Sequence, residues 1–234
     1  NVIEPIQIIM AIQGFSGQKE ERECMLRDLA SKLETNSGDD PISLAKGFLS
    51  MAQLCEINSA AIAFLKRALS ILNNNTTPAT LDLDVEVRVE INVLLGKLYF
   101  AEEFFPEAEH ALKAAIELGL CAPSVCSMSL EEALCRISRL NIFYHRNYIE
   151  AHNLLSKAEE IRDPAQAMAP IGANLATEYG HLAEATGNYE KYELICRESL
   201  ERNRKAQYKN LRSIVPLEAH QLAQLVHRSG NHAE

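Results

Sequence analysis

The chain has 234 residues, 47% of them hydrophobic, with no Trp and few aromatics, so it has ample material for a continuous core. Its diet favours helices over β-branched strands, and the expectation is an all-α fold. A net charge of −9 and a pI near 5.4 repel phosphate backbones and anionic headgroups, which argues against nucleic-acid binding and against docking on a membrane surface. No apolar run of bilayer-spanning length and no signal-peptide pattern is present in the sequence, so it reads as soluble and intracellular, cytoplasmic or nuclear.

In chain order, residues 4–37 form a degenerate helix pair. An apolar helix runs from Val2 to Ile12, a turn from Gly14 to Gly17, and a second helix from Lys19 carries Met25, Leu26, Leu29 and Leu33 at helical spacing. From residue 42 to 75 a unit runs through Phe48 and Ala52 to Ala61, Leu65 and Ala68. The clearest unit, 89–122, carries Leu95-Gly96-Lys97-Leu98-Tyr99 and then Ala108, Leu112 and Ala115. Unit 132–165 ends on Ala151, Leu155 and Ala158, but Ser138 and Arg139 replace its apolar-Gly pair, so its interface is expected to be the weakest. Unit 173–206 has Tyr179-Gly180, a Gly187-Asn188-Tyr189 turn, Tyr192, Cys196 and Ser199. A last unit, 216–234, breaks off after Gly230-Asn231-His232, as though the chain were an excerpt of a longer protein. Linkers are expected at 73–79, 122–128, 162–170 and 205–213.

Small residues at Gly96, Ala108 and Ala115 let two helices approach while Leu95, Tyr99 and Leu112 fill the space between them. This pattern resembles the tetratricopeptide (TPR) repeat. The unit starts at 42, 89, 132, 173 and 216 lie 47, 43, 41 and 43 residues apart, whereas the commonest TPR repeats every 34. The spacing is similar to the roughly 40-residue subclass of kinesin light chains, polarity adaptors and the sensor domains of bacterial transcription activators.

The resemblance implies a single α-α right-handed superhelix over 1–234, whose first helices line a concave face. It assigns to that groove Ser43, Lys46, Ser50 and Gln53 of one unit, and Glu90, Val93, Lys97 and Phe100 of the next. Arg136, Leu140 and Phe143 follow, then Asn174, Thr177, His181 and Glu184. An apolar middle with polar flanks suits a peptide or helical segment of another protein, and Phe100 and Phe143 are the expected anchors. A carboxylate clamp is not expected, because Gly47 and Leu94 stand where that motif needs Asn.

Nothing in the sequence carries catalysis: there is no Gly-rich phosphate loop, nucleophile elbow, HExxH or Cys-His pairing, and neither cofactor nor metal is expected. Glu107 and His110 are half of a di-iron motif without its second half. His181, His220 and His227 fall on first helices at groove positions and could respond to pH. The six cysteines lack ligand spacing and suit reduced thiols; Cys121 and Cys126, in an expected loop, are the nearest pair. The basic run Arg202-Asn203-Arg204-Lys205 reads as a solvated helix end. The function expected is a non-catalytic scaffold or adaptor; the alternative is a ligand-sensing regulatory domain of a larger activator.

Overall fold

The computed structural model describes residues 19–36, 40–74, 81–161, 173–190, 192–194 and 197. The helix expected before residue 19, the linkers at 162–170 and 205–213, the unit from Pro216, the basic run, Cys196, His220 and His227 lie outside the described residues. Among those described, the regular structure is entirely helical. Residue contacts divide into two compact units, Asn1–Cys126 and Ser127–Glu234.

In the first unit, α1 (Lys19–Asn36) buries Leu26, Ala30 and Leu33, which recur along one helix face. Helix α2 (Pro41–Leu54) starts where Pro41 fits the first turn and the Asp40 carboxylate accepts the Ile42 N–H at 3.1 Å. The Ser43 hydroxyl donates to the same carboxylate and, as the largest effect, holds Asp40 below the usual carboxylate range. Helix α3 (Asn58–Asn74) returns antiparallel across a three-residue turn and buries Ala61, Leu65 and Ala68 along its length. The Phe48 and Phe64 rings meet across this hairpin at 6.0 Å.

Helix α4 (Leu81–Ala101) begins two turns before the expected repeat start at Val89, which is where the extra length of the repeat is spent. Helix α5 (Phe105–Cys121) follows with Pro106 in its first turn. Each hairpin closes on itself, and α2 also packs directly on α4, the first helix of the next pair. The reason these backbones approach is visible at Gly96: a Cβ there would lie 2.5 Å from Leu112 Cγ, inside any real contact. The turn between α4 and α5 uses Glu103 at φ 62 rather than a Gly-Asn pair.

The linker expected at 122–128 is instead helical from Pro123, because proline preorganises a first helical turn. Helix α6 (Pro123–Leu140) carries into the second unit and ends in a π-helical segment, Asn141–His145. There Arg146 adopts φ 54 and the Asn147 N–H returns to the Asn141 carbonyl at 2.8 Å. Asn147 then caps α7 (Tyr148–Ile161) by accepting the Glu150 N–H. Helix α8 (Ala173–Thr186) packs on α7, and the π segment touches both. Leu130, Leu134, Ile137, Leu155 and Leu175 fill this core. Gly187 at φ 74 ends α8 at the turn expected from Gly187-Asn188-Tyr189.

Candidate functional site

Of the groove residues assigned to the first unit, Lys46 and Ser50 on α2 are half-buried and Gln53 is exposed. On α4, Glu90 is half-buried, Lys97 is exposed and Val93 is buried at 5% exposure. Glu90 titrates above the usual carboxylate range, first because of burial and then because of Glu86; Lys46 acts in the opposite direction, so the two side chains share one environment. Phe100 is half-buried, edge-on to Phe105 at 5.6 Å.

In the second unit, Leu140 is fully buried and belongs to the core rather than to a binding surface. Val93 shares that fate for the same reason: a residue on the stripe between paired helices packs against both. Phe143 is 56% exposed and meets the His181 ring edge-on at 5.1 Å. Arg136 on α6 is held along its own helix, its Nε donating to Glu132 at 2.9 Å. Thr177 and His181 are half-buried on α8, Glu184 is exposed, and Asn174 lies in the first turn of that helix.

Beneath Phe143 and His181 lies a polar cluster that the sequence did not reveal. Glu178 is only 2% exposed, and its carboxylate receives the Arg139 guanidinium and lies 3.1 Å from His181 Nδ1. Arg139 is the residue that breaks the apolar-Gly pair of its repeat, and its charge is matched by Glu178 across the α6–α8 contact. Ser138 is fully buried beside it, its hydroxyl without a partner. Burial, reinforced by Glu131, Glu178 and Glu132, pushes the nearby Cys135 thiol well above its ordinary range, so it is a poor nucleophile. Cys24 and Cys121 are exposed, and Cys126 and Cys135 are buried.

A cavity of about 360 Å³ opens on another side of α7 and α8. Tyr148, Ile149 and His152 line it from α7, Tyr179 and Thr186 from α8, and Tyr192 closes it beyond the Gly187 turn. Tyr192 rests on Gly180, where an added Cβ would stand 3.1 Å from its ring. The Tyr179 hydroxyl donates to Glu159, and burial pushes its pKa up to about 12. No spacing in the sequence marks this cavity, although the exposed apolar Ile149 beside Tyr148 is a local trace of it.

Among the described residues no group of three or more His, Cys, Asp or Glu is arranged to hold a metal ion, and no helix is long and apolar enough to cross a membrane.

Paired antiparallel helices stacked on small-residue contacts define a helical repeat protein of the α-α superhelix class. The chain is similar in structure to BtubC (BKLC) from P. vanneervenii, with a TM-score of 0.71 and 14% sequence identity over 92% of this chain and 85% of that one. No protein-family model matches the chain, and no curated protein matches it.

Proposed function

We propose that this chain is a TPR-type scaffold of the roughly 40-residue-repeat subclass, non-catalytic and intracellular, that docks a peptide or helical segment of another protein. The observation that carries the proposal is Phe143, an aromatic ring more than half exposed and edge-on to His181, whose Nδ1 lies 3.1 Å from the buried Glu178 carboxylate. Stacked-helix folds serve chiefly as binding surfaces of this kind.

The test is affinity for a peptide selected from an array, measured on the parent and on Phe143→Ala. A loss of about tenfold or more with unchanged helicity supports the proposal. Unchanged affinity at unchanged helicity refutes it.

The 360 Å³ cavity favours a second reading, a ligand-sensing regulatory domain. Native mass spectrometry that finds a retained small molecule would select it.

A further inference from the structure

We propose that the cavity bounded by α7, α8 and Tyr192 receives an uncharged aromatic small molecule of one or two fused rings. This names a ligand class for the ligand-sensing reading and rests on that reading.

The walls come from three successive pieces of chain, so a guest is bordered on several sides, and the volume of about 360 Å³ is on the scale of small-ligand sites. The lining is rich in flat rings. Tyr148 stands in the first turn of α7 and is half-buried. One turn on, the His152 ring is edge-on to the buried Tyr179 at 6.4 Å, with an interplanar angle of 81°. Tyr192 is seated on α8 because Gly180 has no Cβ to displace it. Leu182 and Ala183, both buried, add aliphatic surface from α8. Helix register and backbone contact thus position these rings, and a flat guest meets preset surfaces for offset or edge-to-face contact.

The polar groups of the lining disfavour a charged guest. The Thr186 hydroxyl donates to the Leu182 carbonyl at 2.8 Å and accepts the Asn188 N–H at 3.3 Å. The Tyr179 hydroxyl donates to Glu159. Both hydroxyls are engaged within the protein and make no demand on a ligand. His152 and Asn153, adjacent and exposed on α7, carry an imidazole and an amide, which as neutral groups both donate and accept. Among the described residues lining the cavity there is no Asp, Glu, Lys or Arg. An ionised guest would shed hydration against rings and aliphatic carbon without a counter-charge, whereas an uncharged ring with one hydroxyl or N–H keeps a hydrogen bond at the α7 edge.

The test uses probes of one carbon skeleton, titrated against the whole protein by calorimetry: naphthol, the saturated decahydronaphthol, the anion naphthoate and the cation naphthylmethylammonium. Naphthol is expected to bind saturably, and each of the others about tenfold more weakly or worse. Asn153→Phe, at an exposed position of the lining, is expected to weaken naphthol about tenfold by occupying the space. Tyr148→Leu keeps apolar bulk, removes a ring and gives a smaller loss in the same direction. Both variants are read at unchanged helicity, and Phe143→Ala, outside the lining, binds naphthol like the parent. Decahydronaphthol or either ion binding as tightly as naphthol would overturn the inference and leave a ligand site standing. Naphthol binding indifferent to both Asn153→Phe and Tyr148→Leu, or no saturable naphthol binding, would overturn it too. The ligand-sensing reading falls separately, when none of the probes binds and native mass spectrometry finds no retained molecule.

Discussion

Single residues carry the stacking. Gly96 sits where any Cβ would press on the fully buried Leu112, so Gly96→Ala is expected to lower stability by about 1–3 kcal/mol, read from the denaturant midpoint. The opposite sign is expected at Glu103, a side-chain-bearing residue held at φ 62. There Glu103→Gly relieves left-handed strain and raises stability by about 0.5–1 kcal/mol after the extra unfolded-state entropy is subtracted. Glu90 supplies a pH dependence. Its folded-state pKa is raised, so ionised Glu90 opposes folding at neutral pH, and that cost disappears as the pH falls through the folded pKa toward the unfolded one. Glu90→Gln is therefore more stable than the parent at neutral pH, and the two stabilities converge in acid. A gap that widens on acidification would reject this account.

At the scale of the helix, the third repeat departs from its pattern in an informative way. Ser138 and Arg139, expected to weaken the contact, are only partly matched: the Ser138 hydroxyl and Arg139 Nε are buried without a hydrogen-bond partner, while another guanidinium nitrogen of Arg139 reaches Glu178 on α8. The arrangement trades apolar packing for a paired charge, whose value lies in not leaving Glu178 alone. Arg139→Met leaves that buried carboxylate to His181 Nδ1 and is expected to cost about 1.5–3 kcal/mol. Ser138→Ala removes a buried hydroxyl with no partner and is expected to stabilise by about 1 kcal/mol. Chemical denaturation of the two variants should move in opposite directions. The groove positions were assigned one register at a time, and two of them, Val93 and Leu140, lie in the core. A helix stripe that faces a groove is only one residue step from the stripe that faces the neighbouring helix.

For the molecule as a whole, a repeat array has stability that is a sum of local and neighbour terms, and its two compact units need not unfold together. Leu65→Ala in the first unit should cost about 2–4 kcal/mol there. Amide hydrogen exchange should show the loss in α2 to α5 and leave α7 and α8 nearly unchanged. Equal loss of protection throughout would mean a single cooperative body.

The helical class, the hairpin spacing and the Gly187 turn were legible in the chain itself. They depend on periodicity and on small residues at close contacts, which are local properties that residue order records. The Glu103 and Arg146 turns, the Arg139–Glu178 pair and the tyrosine-lined cavity were not legible, because each needs residues far apart in sequence to meet or a backbone shape that side-chain identity does not demand. Which apolar residues remain at the surface, as Phe143 and Ile149 do, is set by what packs over them, and packing is a relation between elements rather than a property of any one of them.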